Sequence, residues 1–145
     1  MRILIVEDDV VLGMVAAAAL ANEGHGVVGP AFTPAEALAL AESDKADKVD
    51  LALVDINLGG NDEGIVLARR LAQDFGIASI FVSGQVAVAR DSRDAALGLL
   101  NKPYDLDDLI ALVAAAPALA AGQGAPAGLP ASFEFFHGHS GKGAS

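Results

Sequence analysis

Apolar positions in this chain fall into two kinds of run, and the two alternate. Short unbroken runs rich in branched residues occur at Ile3–Val6, Leu51–Val54, Ala78–Val82 and Leu97–Leu100, with a weaker one at His25–Val28. Between them lie longer stretches with helical spacing. Val10–Glu23 is Ala- and Leu-rich and is closed by Gly24. Thr33 can N-cap a helix that starts at Pro34 and carries Glu36 three residues on, the capping-box pattern, and runs to about Glu42. Glu63–Phe75 predicts a third helix, stopped by Gly76. Val86–Ala96 predicts a shorter, more polar one, and Asp105 can cap a last helix through Ala116, stopped by Pro117. Tyr104 is expected to pack at the start of that helix.

Five strand–helix repeats with continuous rather than alternating apolar strands predict a parallel sheet covered on both faces. The crossovers are expected to be right-handed, giving a doubly wound α/β sheet whose ligand site lies beyond the carboxyl ends of its strands. From Pro117 to Ser145 the chain is rich in Gly, Ala and Pro without periodicity, and it reads as a linker despite Phe133, Phe135 and Phe136. The expected organisation is therefore one domain over 1–116, a tail over 117–145 and no output domain.

Composition narrows the function classes. The 145 residues suffice for one domain with a real core. Nineteen Asp plus Glu against nine Lys plus Arg give a net charge of −10, which disfavours direct nucleic-acid binding and suits a cation or a basic partner. With no cysteine there is neither a disulfide framework nor thiolate chemistry. The apolar run behind Met1 and Arg2 is too short for a secretory signal, and Val10–Ala21 is too short to cross a bilayer. A cytoplasmic protein without a membrane span is expected.

Four strand ends carry polar groups: Glu7-Asp8-Asp9, Asp55, Ser83-Gly84 and Asn101-Lys102-Pro103. The second ends in Gly29-Pro30 and brings nothing. Gathered at one edge, Glu7, Asp8 and Asp55 repel one another and need compensation. Lys102 and a hard divalent metal supply it. Mg²⁺ suits because it uses one or two carboxylates, a carbonyl and several waters, leaving room for a phosphoryl oxygen.

The ordered set "ILIVEDD", "LALVDINL", "FVSG" and "NKPYDLDDL" resembles the receiver domain of two-component response regulators over about Met1–Ala116. The resemblance implies a flavodoxin-like, CheY-like three-layer sandwich with strand order 2-1-3-4-5. It implies that Asp55 accepts a phosphoryl group from the phosphohistidine of a sensor histidine kinase or phosphotransfer protein. Asp8 would touch Mg²⁺ most directly, Glu7 through water, and the Asn57 backbone carbonyl would be a further ligand. Ser83 would bond the phosphoryl oxygen with help from the Gly84 amide, and Lys102 would pair with it. Asn57 and Gln85 border the path of the hydrolytic water and would set the lifetime of the phosphorylated state. The fourth and fifth helices form the family's usual dimer face, so a homodimer is possible, and the downstream protein target is unnamed.

Certain residues depart from that pattern. Gly59 stands where proline is common, Gly64 arrives one residue late, and the short segment between Ser83 and Lys102 implies a reduced fourth helix. Leu99 replaces the aromatic residue that many receivers carry, so the switch is expected to act through Ser83 and Gly84. Other residues have plainer readings: Asp9 as an N-cap, Gly59-Gly60 as a tight turn, His25 at a strand edge. His137 and His139 lack a third ligand. A stand-alone receiver, a phosphorylation-controlled interaction module and not an enzyme in its own right, fits these features. An aspartate-nucleophile phosphohydrolase is the alternative, but it needs Asp-x-Asp near the first strand. An unphosphorylated pseudo-receiver is disfavoured by the intact acidic, acceptor and lysine set.

Overall fold

The structure, a computed structural model, describes residues 1–43, 48–58, 63–122 and 128–136. Its elements follow in order: β1 (Arg2–Val6), α1 (Val10–Asn22), β2 (Gly26–Ala31), α2 (Pro34–Ser43), β3 (Leu51–Asp55), α3 (Glu63–Phe75), β4 (Ala78–Ser83) and α4 (Val86–Asp91). A 3-10 turn (Arg93–Ala95), β5 (Gly98–Asn101), α5 (Leu106–Ala120) and β6 (Phe133–Phe135) complete it. The sheet order is β2-β1-β3-β4-β5-β6, with the first five strands parallel and β6 antiparallel to β5.

Successive strand residues face opposite layers, which explains the unbroken apolar runs. Ile3, Ile5, Leu51, Leu53, Ile80 and Val82 pack with Leu20 of α1 and Leu109, Leu112 and Val113 of α5. Leu4, Val6, Ala52 and Val54 pack on the other side with Ala37 of α2 and Leu67 and Leu71 of α3. A third cluster under α4 joins Ile56, Phe81, Ala89, Leu99 and Phe136.

Local signals act largely as their chemistry dictates. The Asp9 carboxylate accepts the Leu12 N–H at 3.0 Å and caps α1. Thr33 Oγ1 accepts the Glu36 N–H at 3.1 Å, while Glu36 reaches back to the Phe32 N–H at 2.7 Å, one residue before the capping residue. Tyr104 is half-buried against the α1–α5 layer. The reduced fourth helix is present: only Val86–Asp91 is α-helical, and the expected continuation to Ala96 becomes a 3-10 turn.

Other readings are corrected. β2 does not stop before Gly29-Pro30 but runs on to Ala31, whose carbonyl accepts the Glu7 N–H at 3.0 Å. Its end therefore contributes a backbone anchor. Asp105 stands at the start of α5 but makes no side-chain cap bond; its carbonyl takes the Asp108 and Leu109 N–H groups. Pro117 does not stop α5, which continues to Ala120 because Ala116 before it and Leu119 beyond it are buried in the core. The proline has no N–H to give to the helix there, and the burial outweighs that loss.

The linker reading of the tail also fails for part of it. Phe133–Phe135 pair with β5, and Phe136 is buried beside Leu99. Gly98 makes this possible: a Cβ there would collide with the Glu134 carbonyl and the Phe133 ring. Gly59, Gly60, His137 and His139 lie outside the described residues. Among the described residues no helix is long and apolar enough to cross a membrane.

Phe136 is 2% exposed although it follows a three-residue strand. Phe136→Ala is expected to lower the unfolding free energy by about 3 kcal/mol, as for other buried aromatic truncations. Urea denaturation measures it, and a loss below about 1 kcal/mol would mean that this ring is not part of the core.

Candidate functional site

The parallel register brings four strand ends to one edge. Val6 lies opposite Val54, Asp55 opposite Val82 and Ser83 opposite Asn101, so the residues ending each strand converge. An open cavity of about 470 Å³ results, lined by Glu7, Asp8, Asp9, Leu12, Asp55, Asn57, Ser83, Gly84, Gln85 and Lys102.

Asp55 is buried at the tip of β3 with both carboxylate oxygens held. Oδ1 accepts the Asn57 N–H at 3.1 Å, and Oδ2 takes Lys102 Nζ at 3.3 Å. Glu7 is buried beside it. Its Oε1 takes Lys102 Nζ at 2.8 Å and its Oε2 accepts the Asp9 N–H at 3.2 Å. The Lys102 backbone N–H donates to the Ser83 carbonyl at 3.0 Å, which fixes the start of the lysine side chain. Ser83 Oγ accepts the Gln85 N–H at 2.9 Å.

One lysine thus faces two buried carboxylates, with Asp8 on the exposed rim. Burial pushes the Glu7 carboxyl up to about 7; the Lys102 bond works against this and the neighbouring Asp55 works with it. Burial also opposes the charge on Lys102, but Glu7 and Asp55 more than offset it and hold the ammonium above its ordinary pKa. One oxygen each of Glu7, Asp8 and Asp55 lie within 4.8 Å of one another, so the cluster could hold a metal ion. A hard cation would relieve the repulsion among these carboxylates.

The backbone under Asp55 is fixed by Gly64. The Gly64 N–H donates to the Ile56 carbonyl at 2.9 Å, and a Cβ at this position would collide with the carbonyls of Asp55 and Ile56. α3 can therefore abut the end of β3 only with glycine here.

A model of the response regulator receiver domain matches residues 3–114. The chain belongs to the response regulator receiver family. The receiver is 37% identical over 113 residues to the transcriptional regulatory protein PdtaR of Mycobacterium tuberculosis, covering 75% of this chain and 53% of PdtaR. It is 33% identical over 121 residues to the transcriptional regulatory protein CseB of Streptomyces coelicolor, covering 79% of this chain and 48% of CseB. It thus spans about half the length of the curated relatives it matches. The CheY-like receiver domain protein of Methanospirillum hungatei superposes with a TM-score of 0.67 at 26% identity, over 85% of this chain and 98% of that one. A receiver is a signalling domain of two-component systems rather than a dedicated enzyme.

The structure brings together every residue expected at the receiver's site except Leu99. Leu99 lies outside the cavity, 1% exposed, in the cluster under α4. Lys102 compensates the acidic cluster as its residues imply, and it does so by a direct ion pair to Glu7; the close approach at Gly64 is the contributor that the sequence reading missed. A glycine in the first turn of a helix, where it costs stability, is the signal by which Gly64 could have been found.

Because the folded protein holds a proton on Glu7 up to about pH 7 while the unfolded chain releases it near 4.5, this group stabilises the metal-free receiver fully only below about pH 4.5. Its contribution is lost as pH rises toward 7. Urea midpoints in chelator are therefore expected to fall across that window for the native protein and to flatten in Glu7→Gln. Parallel curves for both would assign the pH dependence elsewhere.

Proposed function

We propose that Asp55 is the phosphoacceptor of this receiver and that the acidic cluster binds Mg²⁺ to permit the transfer. The observation that carries this reading is the held Asp55 carboxylate, with Lys102 at 3.3 Å and Ser83 in the same cavity. Phosphoryl transfer demands positioning and charge stabilisation more than covalent chemistry from the protein. The Asn57 N–H and Lys102 orient the carboxylate so that an oxygen can meet phosphorus. That O–P bond forms as the P–N bond of a histidine-phosphorylated partner breaks, and the imidazole leaves with the electron pair. Lys102, already charged and anchored, then balances the phosphoryl oxygens. Asp8, Asp55, the Asn57 carbonyl and Glu7, the last through water, would hold Mg²⁺, which when bound neutralises charge on the transferring group.

The donor is proposed to be a sensor histidine kinase or phosphotransfer protein, and the output an altered contact with a protein target in the cytoplasm. The receiver unit accounts for residues 1–116 in this reading. Asn57 and Gln85 line the cavity two residues beyond Asp55 and Ser83. Amides can hold a water but are poor general bases, so these two set how fast the acyl phosphate hydrolyses.

With acetyl phosphate and Mg²⁺ the protein is expected to gain the mass of one phosphoryl group. Asp55→Asn and chelation should each abolish the gain, and a labelled Asp55→Asn protein would refute the assignment. Replacing both Asn57 and Gln85 with Ala should change the decay rate several-fold, roughly the effect of repositioning one water, while the label stays on Asp55. An unchanged decay would exclude these amides from the hydrolytic path.

A further inference from the structure

We propose that β6 is a latch over the edge of β5 that phosphorylation of Asp55 releases. The proposal rests on the phosphoacceptor reading above and adds an output to it.

β6 occupies a position where a five-stranded receiver sheet would present an open edge. Gly98, Leu99 and Leu100 pair with Phe135, Glu134 and Phe133. The flanks are closed by the Asn101 N–H on the Ser132 carbonyl at 2.8 Å and the Phe136 N–H on the Leu97 carbonyl at 2.9 Å. Phe136 seals the cluster that contains Leu99 and Ala89. The absence of a side chain at Gly98 gives β6 its seat.

Two side-chain ties hold this strand to its neighbours. Ser132 Oγ bonds Asp108 of α5 at 2.9 Å. On the other side, Arg90 at the end of α4 grips Glu134, with Nε 3.0 Å from both carboxylate oxygens and Nη2 2.7 Å from Oε1. A fork of this kind is geometrically demanding, so it reports small movements of the helix that carries it.

α4 connects that fork to the phosphoacceptor cavity. It has six residues, and its capping residue, Gln85, makes no side-chain cap bond. What holds its start is the Gln85 N–H on Ser83 Oγ. Ser83 is 2% exposed and lines the cavity with Asp55. A serine whose Oγ moves toward a phosphoryl oxygen on Asp55 to donate its hydrogen draws away from the Gln85 N–H. The first turn of α4 then loses its tie, and so short a helix has little cooperativity of its own to hold its geometry. Ala89 and Arg90, less than two turns away, move with it and loosen both the Phe136 seat and the Glu134 grip. β6 is three residues long, so it belongs to the least stable part of the sheet and opens first. The phosphoryl group needs only to bias an opening that already occurs.

Amide exchange read by mass spectrometry on the full chain, with and without acetyl phosphate and Mg²⁺, tests this. Once Asp55 is labelled, residues 133–136 are expected to exchange about tenfold faster, a typical coupling between two sites. Arg90→Gln and Glu134→Gln, both on the surface, should give fast exchange there without any label and still accept the phosphoryl group. Ser83→Ala removes the tie to Gln85 outright, so residues 133–136 should exchange fast without any label and no faster once labelled. Labelled Asp55 with unchanged exchange at 133–136 would overturn the latch and leave the phosphoacceptor reading standing. No mass gain at all would overturn that reading and the trigger with it.

Discussion

Two buried carboxylates share one lysine, and the rest of the site is arranged around that fact. Glu7 and Asp55 sit side by side at the ends of β1 and β3, with Lys102 between them at 2.8 and 3.3 Å. Like charges at such proximity are tolerated only with a counter-charge or a retained proton. Both are present here: Lys102 lies in place, and burial pushes the Glu7 carboxyl up to about 7. The same imbalance is what a cation held by Glu7, Asp8 and Asp55 would relieve. A site balanced perfectly by lysines alone would have no reason to take one.

Neighbouring elements serve to keep this imbalance in place. β2 lends the Ala31 carbonyl to the Glu7 backbone, and β4 lends the Ser83 carbonyl to Lys102. α3 presses on the end of β3 through Gly64. None of these contacts touches the open side of the cavity, so the charged groups are fixed from behind and a reacting group can approach from the front. The arrangement explains why a core strand ends in a carboxylate: Leu53 and Val54 anchor β3 in two separate layers, and Asp55 is the first residue past them.

Much of this was legible from the residues. Unbroken apolar runs located β1, β3, β4 and β5 to within a residue or so, because a strand covered on both faces leaves little room for polar side chains. The strand ends announced Glu7, Asp8, Asp55, Ser83 and Lys102 because charge directly after such a run is costly without a partner. What was not legible depended on contacts between distant segments. Pro117 signals a helix stop locally, yet Leu119 is drawn into the core and α5 continues. Phe133–Phe136 look like an apolar accident in a Gly/Ala/Pro stretch until Gly98, some 35 residues upstream, is seen to leave room for them. Asp105 has the composition of a side-chain cap but leaves that task to its own carbonyl.

In this reading the Glu7–Asp55–Lys102 arrangement is a half-site for a cation and a phosphoryl group. A crystal structure with Mg²⁺ and beryllofluoride, a mimic of the phosphoryl group, tests it most directly. Beryllofluoride is expected on an Asp55 oxygen, bonded by Ser83 Oγ and Lys102 Nζ, with the metal held by Asp8, Asp55 and the Asn57 carbonyl. A metal bound away from this cluster, or an Asp55 left bare while Lys102 stays on Glu7, would contradict it.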